Sequence, residues 1–505
     1  MRRNRWIPLL MAGLLAFPLG AGAEDTILRL DPAQKSQIHD GVFEGWGTSL
    51  CWWANRLGYS DTLARMAAEA FCDPVHGLGL NILRYNIGGG DDPEHSHITR
   101  TDSMIPGYWQ NPRYDEDSGT WLWDYDWEQD RNQRNVLEKC LACGKDMIVE
   151  AFSNSPPYFL TNSGCSSGAR RAFQDNLRSD AYEAFALYLT DVAEHFEKEW
   201  NIPFQSISPM NEPDTNYWGA GSSKQEGCHF DPGTSQSRML LCLARSLEER
   251  GLDIVLAGTD ETSIDTQALS LSRLTPEALS VLDRVDTHTY GGSNREFLRS
   301  QVLKAGKNLW MSEVDGGDTL GQNAGEMGAA LWLSQRICDD LNGLTPSAWV
   351  LWQIIDSHIC HDGYLGRKDT GMVNVGGGYW GCAVADHDRE ELILTMKYYA
   401  LGQFTRFIRP GSRLIRLSGS AAAALDGDGN LVLVLVHSGG DEKTVRVDLS
   451  AFDFFPAGSV VEVFRTSGSM AEGEHWKELE PLSTDESGFT AALIPCSVTT
   501  FRVMR

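Results

Sequence analysis

Two glutamates, each placed directly after a predicted strand, have the residue type and the setting for acid–base and nucleophilic chemistry. Glu212 stands within Pro209-Met210-Asn211-Glu212-Pro213, and Glu313 begins the segment Glu313-Val314-Asp315 that follows Ser312. If the strands form a parallel barrel, residues at their C-terminal ends face one common site. A carboxyl pair at such a site can protonate a leaving oxygen with one member and attack with the other.

The reaction that such a pair predicts is cleavage of an acetal. An acetal is stable until its leaving oxygen is protonated and its anomeric carbon is attacked. One carboxyl group must therefore stay protonated near neutral pH, which requires surroundings that raise its pKa. The other must be ionised. A single glutamate at a helix N-terminus often only interacts with the helix dipole, but two at separate strand ends favour catalysis.

The elements that must hold this pair alternate along residues 45 to 400. Short apolar runs, typical of strands buried on both faces, are separated by helical patterns such as Asp180–Trp200. This alternation predicts parallel βαβ units, and eight of them make a (β/α)8 barrel. The predicted strands are Phe43–Leu50, Asn81–Asn86, Met147–Phe152, Ser206–Pro209, Ile254–Gly258, Val285–His288, Asn308–Ser312 and Ala348–Gln353.

After about residue 404 the helical periodicity stops. Short apolar or alternating runs follow, separated by turns rich in Gly, Asp, Asn and Ser. This pattern predicts a β-sandwich, which the early strand Thr26–Leu30 is expected to join. The predicted division of the chain is a signal peptide (1–23), an N-terminal segment of the sandwich (24–44), the barrel (45–403) and the sandwich domain (404–505).

The first 23 residues have the features of a secretory signal peptide. Arg2, Arg3 and Arg5 precede an apolar core, and Ala21-Gly22-Ala23 fits the small-residue cleavage rule. An uncleaved anchor is the alternative, although the apolar run is short for a membrane span. Export into the periplasm or the medium, without stable membrane insertion, is therefore predicted. It would also permit disulfides among the 11 cysteines, an odd number that leaves at least one without a partner in the chain.

The charge balance limits the partners. The chain has 505 residues and a net charge of −26, with 22% charged and 42% hydrophobic residues. So acidic a surface repels nucleic acid and anionic membranes, and it argues against polyanionic sugars. A neutral polymer is the expected partner, and a monomer is the expected state.

The motifs at the first four strand ends and the seventh, taken together, resemble those of glycoside hydrolase family 30. Asn211-Glu212-Pro213 and Ser312-Glu313 are similar to the clan of retaining (β/α)8 glycosidases. The family resemblance is carried by three further segments, Phe43-Glu44-Gly45-Trp46-Gly47-Thr48-Ser49, Leu83-Arg84-Tyr85-Asn86-Ile87-Gly88-Gly89 and Ala151-Phe152-Ser153-Asn154-Ser155-Pro156-Pro157. It covers nearly the whole chain after residue 23 and implies a barrel with a side β-sandwich.

The resemblance implies roles for individual residues. Glu212 would be the acid/base and Glu313 the nucleophile of a double displacement. The other implied contacts are as follows: Asn211 to the sugar 2-hydroxyl, Arg84 to the ionised nucleophile, Asp91 to sugar hydroxyls, Asn154 at the pocket wall, Tyr290 to Glu313, and Trp352 as a platform under the sugar. A structural ion pair for Arg84 and a place in the barrel core for Trp352 are the alternatives.

Tryptophan usage is typical of proteins that bind a sugar polymer. Pyranose C–H faces stack on aromatic rings, and seven of the 16 tryptophans fall between residues 46 and 127. Trp52 and Trp53 are the predicted sugar contacts, whereas Trp121, Trp123 and Trp127 stay unassigned.

The substrate follows only from resemblance to one branch of the family. The segment Gly45–Ala54, the loop Asp91–His97 and Asp214-Thr215-Asn216-Tyr217-Trp218 are most similar to the β-1,6-galactanase branch. Plant-type galactan or arabinogalactan is therefore the expected substrate. The alternatives are the other family 30 activities, namely β-1,6-glucanase, glucosylceramidase-like and xylanase activity.

Two rival classes remain. A non-catalytic carbohydrate-binding protein would share the tryptophans and the sandwich but would not need both glutamates. A metallohydrolase could use His358 and His361, or His95 and His97, but neither pair has a third ligand nearby in the sequence. Neither a metal nor another cofactor is predicted.

Overall fold

The structure is a computed structural model that describes residues 26–94, 97–100, 102–316, 325–363, 371–372 and 379–505. The predicted signal peptide and His95 lie outside the described residues.

Eight parallel strands close into a barrel, as the sequence predicts, and each strand pairs with the next along the chain. The last strand pairs with the first and completes the ring. The barrel strands are β1 (Gly45–Ser49), β2 (Ile82–Asn86), β3 (Ile148–Phe152), β4 (Ser206–Ser208), β5 (Val255–Ser263), β6 (Arg284–Gly291), β7 (Asn308–Val314) and β8 (Ala348–Leu351).

Helices connect and surround these strands. The predicted helix Asp180–Trp200 is present as Tyr182–Lys198, and its apolar residues at helical spacing are buried. The α-helices are Trp53–Leu57, Asp61–Cys72, Arg131–Leu141, Tyr182–Lys198, Thr234–Arg250, Ile264–Arg273, Pro276–Val281, Arg295–Ala305, Met327–Gly343 and Met396–Thr405, and the 3-10 helices are Ile38–Gly41 and Tyr158–Leu160.

Two further sheets build the predicted β-sandwich around a second apolar core. The first strand of the described chain pairs in parallel with Lys443–Asp448, so the N-terminal segment joins the sandwich as expected. The three-stranded sheet contains Thr26–Arg29, Lys443–Asp448 and Gly488–Leu493, and the six-stranded sheet contains Arg413–Ile415, Ala421–Leu425, Leu431–His437, Val460–Ser467, Glu474–Ser483 and Ser497–Val503.

Two elements were not predicted because they are insertions in barrel loops. A hairpin between β2 and β3 pairs Trp109–Asp115 with Thr120–Tyr125. A three-stranded sheet after β8 contains Ile355–Ile359, Ala383–Asp386 and Glu391–Leu394. Their alternation is interrupted or short, so it does not stand out from loop sequence.

Buried aromatic rings pack where the barrel meets the sandwich. Trp46 of β1 is fully buried, and its indole N–H donates to the carbonyl of Ile408 at 2.7 Å. Its ring packs against Trp349 and Phe404. The helix Met396–Thr405 spans the predicted boundary between 403 and 404. The domain limits remain a prediction.

Neither disulfides nor membrane spans are seen in the part of the chain that the structure describes. All 11 cysteines are unpaired. Among the described helices, none is long and apolar enough to cross a bilayer.

The N-terminal segment should contribute measurably to stability. Leu30 is 2% exposed within the sandwich core, whereas Ile27 in the adjoining strand is 53% exposed. We expect Leu30→Ala to lower the free energy of unfolding by about 2–5 kcal/mol, because a buried side chain leaves a cavity. Ile27→Ala, the matched control, should change it by less than about 0.5 kcal/mol. Urea denaturation measures both, and equal effects would contradict the role of this segment.

Candidate active site

The two glutamates singled out by the sequence meet at the C-terminal mouth of the barrel. Glu212 lies four residues beyond the end of β4, and Glu313 is the next-to-last residue of β7. Both are buried, with 8% and 3% exposure. One carboxylate oxygen of each lies within 4.8 Å of the other and of a ring nitrogen of His288.

Arg84, on β2, is the cation beneath this pair. Its guanidinium has no exposed surface and donates to three carboxylates: to Glu313 at 3.1 Å, to Asp260 at 2.6 Å and to Glu150 at 2.8 Å. It also donates to the carbonyl of Ser312 at 3.2 Å. A buried charge with this many partners orients the carboxylates and is costly to disrupt.

A second cation continues the network across the barrel interior. Arg284 donates to both oxygens of Asp286, at 2.7 and 3.0 Å, and to Glu150. Ser206 of β4 donates to the same Glu150 carboxylate at 2.8 Å. Side chains from β2, β3, β4 and β6 are therefore joined through Glu150.

His288 bridges the two glutamates from the side. Its Nδ1 lies 3.1 Å from Glu212 and 3.4 Å from Glu313, and its Nε2 lies 3.2 Å from Asp260. Burial alone would lower the pKa of His288, but Glu313 and Asp260 outweigh it and raise that pKa well above the ordinary histidine value. His288 is therefore a cation shared by three carboxylates.

The backbone around the acidic groups is strained. Glu212 has φ 48° and Asp260 has φ 63°, both in the left-handed region that residues other than glycine rarely adopt. The N–H of Glu212 donates to the carbonyl of Asp260 at 2.8 Å. The indole of Trp218 donates to the carbonyl of Glu212 at 2.9 Å. These contacts hold a conformation that costs of order 1–3 kcal/mol per residue and is typical of functional sites.

The protonation of the pair is set by burial and by nearby donors. Burial raises the pKa of Glu313 to about 7, against the opposing effects of His288 and Arg84. Burial would also raise the pKa of Glu212, but hydrogen bonds from His288 and Tyr217 outweigh it and lower that pKa. Two carboxyl groups this close titrate as a pair. Between the lower and the higher pKa of the pair, the two groups share one proton.

A cavity of about 720 Å³ opens above the pair. Its aromatic wall is formed by Trp52, Trp352 and Trp380, with the first two rings in edge contact at 5.2 Å. Arg100 and Asp356, joined at 3.2 Å, lie at another part of the wall. Apolar rings beside a few polar groups are the usual lining of a ligand site.

Six of the sequence-predicted site residues line this cavity, and a seventh, Arg84, lies beneath it. Trp52, Asn211, Tyr290 and Trp352 line it with Glu212 and Glu313. The hydroxyl of Tyr290 donates to Glu313 at 3.1 Å. Asn211 is 4% exposed, and none of the residues that the structure describes hydrogen-bonds to its side-chain oxygen. A buried amide oxygen in this state is suited to accept from a ligand hydroxyl.

The three other predicted contacts neither line the cavity nor bind its glutamates. Trp53 is 1% exposed in the main core, and its indole donates to the carbonyl of Ser49 at 2.8 Å, so it is withdrawn as a sugar contact. Asn154 is 2% exposed, and its amide nitrogen lies 4.0 Å from the sulfur of Cys51. Asp91 accepts from the N–H of His97 at 2.6 Å and lines a separate cavity of about 330 Å³.

The unassigned tryptophans serve packing in this structure. Trp121 and Trp123 surround Phe159, with ring centroids 5.3 and 5.8 Å away. Trp127 stacks on His195 at 3.7 Å. None of the three lines the large cavity.

Sequence reasoning missed His288, Asp260, Tyr217 and Trp380. His288 lies two residues before Tyr290 on one strand, so period-2 alternation could have placed both on the same face. Asp260 stands two residues beyond the predicted end of β5, at the level where functional residues collect. The hydroxyl of Tyr217 donates to Glu212, but no sequence pattern indicates that its loop folds back over the mouth.

Histidine and carboxylate groups converge twice in the described part of the chain, and neither convergence uses the histidine pairs considered above. One group is Glu212, His288 and Glu313, and the other is Asp175, His229 and Asp231. His358 instead faces His387 at 3.0 Å, and His361 is exposed. At the first group, protonated His288 already supplies a positive charge between the carboxylates.

Comparison with known proteins identifies a family and several relatives of this chain. A profile of O-Glycosyl hydrolase family 30 matches residues 27–263. The chain is 32% identical over 497 residues to an endo-beta-1,6-galactanase of Hypocrea rufa, with 95% of each chain covered. It is 24% identical over 552 residues to an exo-beta-1,6-galactobiohydrolase of Bifidobacterium longum subsp. longum, covering 86% of this chain and 36% of that longer protein.

The fold recurs in solved structures. The catalytic domain of a GH30 xylanase C from Talaromyces cellulolyticus superposes with a TM-score of 0.68 at 17% identity, covering 95% of this chain and 100% of that one.

The buried network should be among the most sensitive points of the molecule. We expect Arg84→Leu to lower the free energy of unfolding by about 3–5 kcal/mol, because Asp260 and Glu150 lose a buried cation. Arg65→Leu, which breaks an exposed pair with Glu69, is the control and should cost less than about 1 kcal/mol. Denaturant titration compares them, and a mild loss for Arg84→Leu would contradict the proposed interdependence.

Proposed function

Because the chain belongs to O-glycosyl hydrolase family 30 and is therefore a glycoside hydrolase, we propose that it cleaves β-1,6-galactosidic bonds of galactan or arabinogalactan with retention of configuration. The linkage is supported by the 32% identity to an endo-beta-1,6-galactanase over 95% of both chains. Internal cleavage, rather than removal of terminal units, is supported by the same relative.

Retention is supported by the separation of the two carboxyl groups. Their nearest oxygens lie within 4.8 Å of each other. Retaining enzymes hold the pair about 5–5.5 Å apart, whereas inverting enzymes leave about 6.5–9.5 Å for a water molecule. A pair this close has no room for that water, so direct attack by one carboxylate is the favoured route.

Without substrate, the proton that the pair shares resides on Glu313, whose pKa is raised, rather than on Glu212, whose pKa is lowered. In the proposed reaction this proton passes to Glu212 when the sugar binds, and Glu212 then protonates the glycosidic oxygen while the ionised Glu313 attacks the anomeric carbon. The carbon–oxygen bond breaks, the leaving sugar departs as an alcohol, and the remaining sugar is held as an ester on Glu313. Glu212, now ionised, removes a proton from water, and the resulting attack cleaves the ester. Glu212 is reprotonated and Glu313 is released as a carboxylate.

The remaining residues in and beneath the cavity orient the groups that react. Arg84 and Tyr290 donate to Glu313 and hold the nucleophile toward the sugar. The free amide oxygen of Asn211 accepts from the 2-hydroxyl. Trp352, with Trp52 at its edge, offers the ring face on which a pyranose can stack.

The substrate is proposed to be neutral, and the protein to act outside the cell as a monomer. A net charge of −26 disfavours polyanionic chains and nucleic acid. The basic, apolar and small-residue regions of residues 1–23 support export by cleavage of a signal peptide.

The proposed specificity predicts which polysaccharide is cut. We expect the purified protein to release β-1,6-galacto-oligosaccharides from de-arabinosylated arabinogalactan and to leave β-1,6-glucan and xylan intact. A ladder of product sizes indicates internal cleavage, and galactobiose alone would indicate exo-action. Activity confined to glucan or xylan would contradict the proposed linkage but not the mechanism.

In the same assay, alanine variants distinguish the roles of the two glutamates. Glu212→Ala should lose about 10²–10⁴-fold of the polymer activity but should still react with an aryl glycoside whose leaving group needs no proton. Glu313→Ala should lose both activities. The first-formed sugar, read by NMR, should keep the β configuration. Equal behaviour of the two variants on the aryl glycoside would overturn the assignment.

A bell-shaped pH profile should follow from the shared proton. The reaction needs one proton on the Glu212–Glu313 pair, wherever it resides before substrate binds. We expect kcat/KM to fall as the pH rises through about 7, where the pair loses this proton, and to fall again below the ordinary glutamate pKa. Because cationic His288 lowers both pKa values, His288→Gln should move both limbs to higher pH by roughly one unit.

The control for this profile is His437→Gln in the sandwich, which should leave the profile unchanged. If the two limbs of the pH profile of His288→Gln stay at the wild-type pH, or move to lower pH, the proposed electrostatic coupling is contradicted.

A further inference from the structure

A groove leads away from the candidate active site across the loops after β3 and β4. It consists of the 720 Å³ cavity above the glutamates and two more cavities, of about 430 and 610 Å³. Tyr217 and Thr262 line both the first and the second cavity. Phe173 and Asp231 line both the second and the third. The three cavities therefore adjoin one another in a row.

The groove leaves the active site on the side of Glu212. Tyr217, at the junction of the first two cavities, donates to the Glu212 carboxylate, and Thr262 hydrogen-bonds to the same group. The tryptophan wall of Trp52 and Trp352 belongs to the first cavity alone. Since the acid/base group protonates the leaving oxygen, the leaving part of the substrate lies on the side of the acid/base.

The lining of the groove has the chemistry of a carbohydrate-binding surface. Phe173 is 59% exposed at the point where the second and third cavities meet, and Tyr217 is 49% exposed where the second begins. What sets these two rings apart from other exposed aromatic side chains is their place along adjoining cavities, where each could stack on the C–H face of a pyranose. The polar lining around them includes Asn162, Gln174, Asp214, Asn216 and Asp231.

The loop that carries Phe173 is held in place from below. Asp175 accepts from the N–H of Asp231 at 2.6 Å and from the hydroxyl of Ser235. The N–H of Asn176 donates to the carbonyl of His229 at 3.3 Å. The loop after β3 is thereby tied to the loop after β4, so the ring of Phe173 is presented by a fixed turn rather than by a free segment.

We propose that this groove binds the leaving-group side of the polysaccharide, and that Phe173 is a stacking platform for a sugar beyond the one attached to the bond being cut. The inference rests on the proposed function, and it adds a residue that determines the preference for substrates of a given length. Phe173 does not line the cavity of the glutamates. It should therefore affect long substrates and leave short ones unaffected.

The test compares substrates that do or do not reach the groove. Wild type and Phe173→Ala are assayed on β-1,6-galacto-oligosaccharides of increasing length, labelled at the reducing end, and on an aryl β-galactobioside. We expect Phe173→Ala to lower kcat/KM for the longest oligosaccharides about two- to tenfold, the worth of one aromatic stacking contact, and to leave the aryl glycoside unchanged. Phe173→Tyr, which keeps the ring, should restore the wild-type values.

The matched control is Phe297→Ala. Phe297 is 57% exposed on the helix Arg295–Ala305 and lines none of the three cavities. It should change neither class of substrate. The proposed role of the groove is wrong if Phe173→Ala has the wild-type kcat/KM on every substrate, or if its kcat/KM falls equally on short and long substrates. Either result leaves the proposed function unaffected. A wild type inactive on the whole galacto-oligosaccharide series overturns the proposed function and the groove together.

Discussion

Arg84 carries its charge with no exposed surface, and the positions of three carboxylates depend on it. Its donors reach Glu313, Asp260 and Glu150 at 2.6–3.1 Å. In such surroundings an unpaired charge costs several kcal/mol. The buried cation is therefore stable only when its carboxylate partners are buried with it. The barrel brings them together from strands distant in the chain, which is why the site exists only in the closed fold.

The arrangement around Arg84 also explains how two acidic groups can lie so close. With His288 protonated, the interior holds three cations against the four carboxylates Glu150, Asp260, Asp286 and Glu313, before Glu212 is counted. The excess negative charge favours keeping a proton on the Glu212–Glu313 pair, which is the state that acetal cleavage needs. The left-handed backbone at Glu212 and Asp260 lies beside these charges, and the hydrogen bond from the N–H of Glu212 to the carbonyl of Asp260 joins the two residues.

Much of this could be predicted from the sequence, and the reason is periodicity. Several of the eight barrel strands are apolar runs, and helical patterns separate them along the chain, so the sequence indicates that residues at the strand ends, Glu212 and Glu313 among them, lie at the barrel mouth. Trp52 and Trp53 show where that reasoning stops. They are neighbours in sequence, yet one ring lines the cavity and the other is 1% exposed in the core, because side-chain direction after a strand end depends on the local turn.

His288 and Tyr217 were missed for different reasons. His288 lies inside a strand and could have been found from the alternation that also places Tyr290. Tyr217 reaches Glu212 only because its loop folds back over the mouth, which no local pattern encodes. Loops of this kind are also where Phe173 and Asp231 lie, at the groove beyond the glutamates. In the barrel interior, replacing one charged residue leaves its buried partners unpaired. The exposed loops, in contrast, can vary without unfolding the barrel. For the same reason the motifs at the strand ends indicate the family. The preference for one sugar and for one substrate length has to be inferred from the loops at the barrel mouth.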